Sequence, residues 1–210
     1  MYEKALSRSF YDRPTEEVAK NLLGKILMKK IGYQYFCGKI VETEAYLGEH
    51  DAAAHAFAGR TKRTKILYGP PGHAYIFRLR AYHCLNVSAE PEGKPGCVLI
   101  RALEPLNFFE HLRKNRKKDE KEKIENLCNG PGKLCQALEI NLQHYGLDLT
   151  SKNSEIYISD NIENVPLRVV VTKRIGITKA GDWQQRYIID GNSFVSGNKK
   201  INYGKILELP

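Results

Sequence analysis

Two carboxylates and a phenol occur at alternate positions in the stretch Val41–Phe57, which reads VETEAYLGEHDAAAHAF. Because successive side chains of a β-strand point to opposite faces, Glu42, Glu44 and Tyr46 would share one face. A loop follows this strand, and loops that leave rigid strands often carry functional residues. The pattern admits two interpretations: the glutamates form the solvated face of an antiparallel sheet, or one of them acts as a catalytic acid or base.

The same stretch also contains side chains that bind metals. A metal-dependent hydrolase using Glu44, His50, Asp51 and His55 is therefore an alternative hypothesis. The histidines are five positions apart, and this spacing matches no recognised zinc motif. We accordingly expect no metal at this stretch.

Aromatic and basic side chains are interleaved in a second segment, His73–Ser88, which is predicted to form two strands joined by a bend. This pattern suits base stacking and phosphate contact, but it also fits an aromatic core strand with a charged outer face. A third segment, Gly96–Leu103, is apolar except for Arg101. Because a buried unpaired charge is costly, we expect Arg101 to have an anionic partner.

The elements that would hold these segments are short helices and antiparallel strands. Helices are predicted at Phe10–Gly24, Pro105–Lys117 and after Asn129. Further strands are predicted at Lys25–Lys30, Tyr35–Tyr46, Val165–Thr172, Arg174–Ile177, Tyr187–Ile189 and Ser193–Val195. Trp183 is expected to be a packing anchor. We predict an α+β fold, with residues 1–210 forming a single mixed domain whose curved, mainly antiparallel β core is flanked by helices.

Composition limits the class of protein. The chain has 210 residues, of which 42% are hydrophobic and 27% charged, as expected for one globular domain. Its net charge of +9 favours a polyanionic partner such as nucleic acid. Five cysteines without a C-x-x-C pair indicate reduced thiols. No apolar run approaches the roughly 20 residues of a membrane span, and Met1–Arg13 lacks a signal-peptide core, so we expect a cytoplasmic protein without membrane contact.

Five sequence blocks resemble the alkyladenine (3-methylpurine) DNA glycosylase family in their order and spacing: VETEAYLGEHDAAAHAF, YGPPGHAYIF, CLNVS, CVLIRALEP and LCNGPGKLCQAL. With FYDRP and RIGITKAGDW, these blocks span nearly the whole chain. The resemblance implies a monofunctional enzyme that flips damaged purines out of double-stranded DNA and hydrolyses the N-glycosidic bond. Its implied substrates are 3-methyladenine, 7-methylguanine and hypoxanthine. We expect a monomer that needs no cofactor.

The resemblance also implies catalytic roles. Glu44 matches the general base that activates the attacking water, and Arg101 matches the arginine that helps to hold this water. Backbone at Ile175–Ile177 matches the segment that offers the water a carbonyl. Glu42 has no matching role and is interpreted as structural.

A base-binding pocket is implied as well. Tyr46 and His55 match the two walls that sandwich the flipped base, and Phe77 matches a further stacking residue. Asn86 matches the residue that screens against the 2-amino group of guanine. Because N-alkylated purines are cationic, aromatic walls attract them by about 0.5–2 kcal/mol for each contact.

The chain departs from the family pattern ahead of CLNVS. The family usually has a tyrosine–glycine pair there, whose tyrosine enters the minor groove as a wedge, but the run YIFRLRAY is one residue shorter. The wedge must then be Leu79, Arg80 or Tyr82, and apolar side chains can serve as wedges. A lesion-binding or RNA-binding protein without turnover is the non-enzymatic alternative.

Overall fold

The computed structural model describes residues 4–161 and 166–209, which are organised around an antiparallel sheet. Nine strands lie within these residues: β1 (Ile26–Ile31), β2 (Gln34–Tyr46), β3 (Ala74–Leu79), β4 (Tyr82–Ala89), β5 (Gly96–Pro105), β6 (Ile156–Ser159), β7 (Leu167–Thr172), β8 (Arg186–Ile189) and β9 (Lys205–Leu209). The main path of the sheet runs β3-β4-β5-β2-β8-β7-β9, while β1 pairs with both β2 and β6. The predicted α+β class with a mainly antiparallel sheet is confirmed.

The long strand β2 is central to the sheet. Its first half pairs with β1, its end pairs with β8 at Glu42–Glu44, and β5 pairs with it from Gly38 to Tyr46. The β2–β5 register shifts on both sides of Glu42, so that Val41 and Arg101 have no directly opposed partner. Such bulges bend a strand and redirect its side chains. Here they lie beside the carboxylates that the sequence singles out.

Four α-helices lie in the described part of the chain: α1 (Arg8–Tyr11), α2 (Thr15–Asn21), α3 (Phe109–Asn115) and α4 (Pro131–Ala137). The prediction of one helix over Phe10–Gly24 is wrong, because Pro14 is extended (φ −49°, ψ 132°) and separates α1 from α2. A proline also disfavours helical backbone in the residue before it. The predicted helix Pro105–Lys117 begins only at Phe109, since Pro105 still pairs with Gly38 in the sheet.

Two predicted strands are absent from the described residues. Arg174–Ile177 is a loop and Ser193–Val195 is a turn. In each segment a backbone amide donates its hydrogen bond to a side chain and not to a neighbouring strand. The Ile175 amide donates to Glu44 (2.8 Å), and the Phe194 amide donates to the Asn192 side chain (2.9 Å). Strands β6 and β9 were not predicted. Val165, the first residue of another predicted strand, lies outside the described residues.

The main core lies between the sheet and helices α2 and α4. Val18 and Leu22 at α2, and Leu134 and Leu138 at α4, are almost completely buried in it. Four of the five cysteines are buried and all are free thiols, as predicted. Among the described residues, no helix is both long and apolar enough to cross a membrane. This packing leaves the ends of β2 to β5 and their loops to form the site.

Candidate active site

Glu44, the predicted general base, is completely buried near the end of β2. Its Oε1 accepts a hydrogen bond from the Ile175 amide (2.8 Å), and its Oε2 accepts one from the Tyr46 hydroxyl (2.9 Å). The Nη1 atom of Arg101 lies 3.3 Å from Oε2. Interpreting this strand face as solvated is therefore wrong. Two hydrogen bonds and one ion pair hold the carboxylate in one orientation, in keeping with the need of buried polar groups for partners.

Arg101 has the anionic partners that its place in an apolar strand predicted. Its Nε lies 2.9 Å from Oε1 of Glu42, and Glu44 flanks its other side. Burial alone lowers the pKa of Arg101, but Glu44 and Glu42 outweigh burial, and the pKa is raised. Burial raises the pKa of Glu42, yet Arg101 and Arg186 lower it below its ordinary value. Opposite charges are thus kept side by side in the sheet.

A cavity of about 180 Å³ opens beside these charges. Six of the predicted site residues line it: Tyr46, His55, Phe77, Leu79, Asn86 and Arg101. The loop Ile175–Ile177 lines it too, so Glu44 adjoins the cavity through its own three hydrogen-bonding or ionic partners. The structure therefore brings the predicted base, arginine and aromatic walls into one site.

His55 and two aromatic residues of β3 form one wall of the cavity. The His55 ring meets Phe77 edge-on, with centroids 4.4 Å apart, and its Nδ1 lies 2.7 Å from the Tyr75 hydroxyl. Burial, helped by the nearby Arg63, lowers the pKa of His55 to about 4. The imidazole is therefore neutral near pH 7. Tyr75 was not among the predicted site residues, although its alternation with Phe77 was a signal for it.

Asn86 lies on β4, lines the same cavity and is buried. Its Nδ2 donates to the backbone carbonyl of Tyr75 on the neighbouring strand (3.0 Å). This hydrogen bond fixes the orientation of the amide relative to the aromatic wall.

Arg174 and Asp51 form a buried ion pair that was not predicted from the sequence, and Arg174 contacts the Tyr46 ring. The Arg174 guanidinium lies 4.7 Å from the Tyr46 ring centroid and donates to the Ala45 carbonyl (3.0 Å). It also makes two hydrogen bonds to Asp51, one of them 2.9 Å, and both side chains are fully buried. Trp183, predicted to be a packing anchor, is 37% exposed, and its ring lies 6.0 Å from the same guanidinium. The cost of burying an unpaired arginine, which pointed to a partner for Arg101, was a signal here as well.

Asp51 also organises the loop that leads to His55. Its carboxylate accepts hydrogen bonds from the amides of Leu47 (3.1 Å) and Ala53 (3.0 Å). Burial raises the pKa of Asp51, but hydrogen bonds from Arg174 and these amides lower it below its ordinary value. Asp51 thus caps the loop and ties it to Arg174.

The side chains of the metal hypothesis have separate partners. Asp51 faces Arg174, His55 faces Tyr75, and His50 is exposed. Within residues 4–161 and 166–209, no three His, Cys, Asp or Glu side chains are grouped to hold a metal ion.

The three wedge candidates lie at the tip of the β3–β4 hairpin. Leu79 and Tyr82 are opposed across the two-residue loop and are 58% and 53% exposed. Arg80 has a φ of +55°, a conformation that favours glycine. Leu79 lines the cavity, whereas Tyr82 packs against Gly132 of α4. The approach is close, since a Cβ added to Gly132 would lie 2.9 Å from the Cβ of Tyr82. The two side chains therefore have different surroundings.

The chain is similar to known DNA glycosylases. A family model described as methylpurine-DNA glycosylase matches residues 9–193. Relatives named "Putative 3-methyladenine DNA glycosylase" include one from Koribacter versatilis, 43% identical over 198 residues (93% of this chain, 95% of the relative). Another, from Clostridium acetobutylicum, is 44% identical over 205 residues (93% and 98%), and one from Oceanobacillus iheyensis is 44% identical over 195 residues (91% and 95%).

Fold, site and comparisons together define a hydrolase of the DNA glycosylase class that acts on alkylation damage in DNA repair. The chain belongs to the methylpurine-DNA glycosylase family. The resemblance inferred from its sequence blocks is confirmed.

Proposed function

We propose that this glycosylase flips damaged purines out of double-stranded DNA and hydrolyses their N-glycosidic bond with Glu44 as general base. The observation that carries this proposal is a buried carboxylate, held by Tyr46, Ile175 and Arg101, beside an aromatic cavity. Cleavage develops positive charge on the sugar, and a nearby carboxylate stabilises that charge while it activates water. A single carboxylate suffices when the leaving base is already cationic.

Arg101 would help to hold the attacking water next to Glu44. Its guanidinium lines the cavity and also lies within 3.3 Å of the Glu44 carboxylate, so it can contact both groups. A fixed array of donors in a buried site needs little reorganisation during the reaction.

The aromatic walls support a preference for alkylated purines. Tyr46 and His55 would sandwich the flipped base, Phe77 would add a further stacking surface, and Asn86 would select against the 2-amino group of guanine. A neutral His55 does not repel a cationic base, which is consistent with the lowered pKa of its imidazole. Substrates of this site are 3-methyladenine, 7-methylguanine and, through shape and hydrogen bonds, the neutral base hypoxanthine.

Leu79 is the best of the three wedge candidates. It is exposed at the hairpin tip and also lines the cavity, so it could fill the gap that the flipped base leaves. Arg80, at the same tip, would contact phosphates, and Tyr82 would support the hairpin against Gly132. The enzyme would act on DNA in the cytoplasm as a monomer.

The test is release of free base from an alkylated duplex under single-turnover conditions, followed by chromatography. Glu44→Gln should slow release by about 10²–10⁴-fold, the range expected for loss of a general base. Binding to the damaged duplex should persist, because the amide keeps the shape of the side chain.

Glu49→Gln is the matched control. Glu49 lies in the following loop, where its carboxylate accepts a hydrogen bond from the Tyr68 hydroxyl. This variant should release base at the wild-type rate. Unchanged release by Glu44→Gln would disprove the assignment.

A further inference from the structure

Glu42 and Glu44 belong to a continuous row of buried charges that crosses three strands. The order of contacts is Arg186 on β8, Glu42 on β2, Arg101 on β5 and Glu44 on β2 again. The Arg186 and Glu42 side chains are fully buried, with Nε 2.7 Å from Oε1. Charges alternate along the row, so each carboxylate lies against at least one guanidinium. The catalytic pair of Glu44 and Arg101 is therefore one end of a longer arrangement.

Glu42 is surrounded by hydrogen-bond donors. Its Oε1 accepts from Nε of Arg101 (2.9 Å), from Nε of Arg186 (2.7 Å) and from the hydroxyl of Ser196 (2.9 Å). Its Oε2 accepts from the Ser196 amide (2.6 Å). An ionised carboxylate only accepts hydrogen bonds, so it matches all of these donors at once.

The Glu42 contacts fix the plane of the Arg101 guanidinium. Nε of Arg101 binds Glu42, and Nη2 lies 3.4 Å from the Ser196 hydroxyl, which itself binds Glu42. The remaining nitrogen, Nη1, is the one that lies beside Glu44. Because the guanidinium is planar and rigid, holding one edge determines where the opposite nitrogen points.

We propose that Glu42 is a positioning residue for hydrolysis: it aligns Arg101, through Nε and Ser196, so that Nη1 stays beside Glu44. This inference rests on the proposed catalytic roles of Glu44 and Arg101. It extends the chemistry to a residue that the family resemblance left without a role. Arg186 in turn holds Glu42 and also binds the Ser196 carbonyl (3.2 Å) and the Asn202 side chain (2.7 Å).

Replacing Glu42 by glutamine tests its alignment of Arg101 while nearly preserving the size of the side chain. The amide is nearly isosteric, but either orientation places an NH₂ group against donors: Arg101 and Arg186 on one side, or the Ser196 amide on the other. The guanidinium of Arg101 should therefore rotate or shift. Misplacement of a catalytic group by about 1 Å can cost about 100-fold in rate.

The experiment compares Glu42→Gln with wild type on an alkylated duplex, measuring the single-turnover rate of base release, the dissociation constant for the duplex and the thermal midpoint. At a temperature where both proteins are folded, we expect the rate to fall by about 10- to 100-fold with little change in the dissociation constant. If Glu42 has only a structural role, Glu42→Gln will lower the thermal midpoint but leave the rate of base release by the folded protein unchanged. That result would overturn the proposal.

Thr43→Val is the matched control, because Thr43 is the next residue of β2 and equally buried, but its hydroxyl donates to the Ala19 carbonyl on the opposite face (2.8 Å). It should lower the thermal midpoint while keeping the wild-type rate. A rate loss in Thr43→Val equal to that in Glu42→Gln would show a general effect of destabilising β2 and would also overturn the proposal.

Ser196→Ala keeps the test decisive if Glu42→Gln does not fold. It removes a hydroxyl from both Glu42 and Arg101 without adding a buried donor, and should slow release several-fold. An unchanged rate in the folded Ser196→Ala protein would then count against positioning. Glu44→Gln, measured in parallel, separates the proposal for Glu44 from the proposal for Glu42. If Glu44→Gln releases base at the wild-type rate, Glu44 is not the general base. If Glu44→Gln is inactive but Glu42→Gln and Ser196→Ala keep the wild-type rate, only the positioning role of Glu42 is wrong.

Discussion

The part of β2 that carries Glu42 and Glu44 differs from the tip of the β3–β4 hairpin in burial and in the number of its side-chain contacts. Glu42 and Glu44 are completely buried, and each has several partners from distant parts of the chain. At the hairpin tip, Leu79 and Tyr82 are more than half exposed, and the loop contains only Arg80 and Ala81. The two regions are nevertheless adjacent, since Leu79 and Arg101 line the same cavity.

This difference follows from what each region must do. Groups that stabilise charge during a reaction are most effective when they are already oriented and shielded from water. A surface that meets DNA must remain accessible, so it depends on exposed side chains on a short hairpin. Substitutions at the buried end should therefore alter stability or chemistry strongly, whereas those at the tip should mainly alter extraction of the base.

The largest expected effect on stability is at Arg174. Arg174→Gln leaves the buried Asp51 carboxylate without its cation, and loss of one partner of a buried ion pair typically costs about 3–5 kcal/mol. The free energy of unfolding in urea measures this loss. At the hairpin tip, Arg80→Gln should change the same quantity by less than about 0.5 kcal/mol, as exposed substitutions usually do. Equal losses in the two variants would contradict the contrast between the regions.

An intermediate effect is expected at Leu79. Leu79→Ala should slow base release from duplex DNA by about tenfold, equivalent to about 1.4 kcal/mol, because a shorter side chain stabilises the flipped state less well. On a single-stranded alkylated oligonucleotide the effect should disappear, since no duplex has to be opened. Single-turnover rates on both substrates measure the difference.

Tyr82→Ala is the comparison for Leu79→Ala. Because Tyr82 packs against Gly132, this variant should lower the thermal midpoint more than Leu79→Ala does. If Tyr82→Ala instead shows the larger loss that is specific to duplex DNA, Tyr82 and not Leu79 is the wedge.

The smallest effect concerns the pH dependence of stability at His55. Its pKa falls from 6.5 to about 4 on folding, chiefly because of burial. As pH decreases through this interval, the unfolded chain takes up the proton before the folded protein does, so the folded state loses stability. Above the interval the imidazole is neutral in both states and contributes no pH dependence.

His55→Gln should therefore flatten the decline in unfolding free energy between about pH 6.5 and pH 4. Urea titrations at several pH values measure the two slopes. His50→Gln, at an exposed histidine in the same part of the chain, is the comparison variant. A slope that does not differ between His55→Gln and wild type would show that the imidazole is not desolvated.

Much of the site could be predicted because its residues lie in local patterns. The alternation in β2 places Glu42, Glu44 and Tyr46 correctly, and the apolar surroundings of Arg101 correctly indicate an anionic partner. The pattern does not tell Glu42 from Glu44, and only the family resemblance favours Glu44 as the base. Arg174 was missed because its segment has the composition of a strand but forms a loop.

By itself, the sequence determined the α+β class, most strand positions, the reduced thiols and the family. These depend on periodicity, turn residues and ordered blocks, all of which are local properties. The tertiary structure alone decided that two bulges flank Glu42, that Arg174 pairs with Asp51 and that the Ile175 amide reaches Glu44. The Arg174–Asp51 and Ile175–Glu44 contacts join residues that are 123 and 131 positions apart, and the bulges arise from the pairing of β2 with β5. All three therefore depend on strand register and packing, which no local pattern specifies.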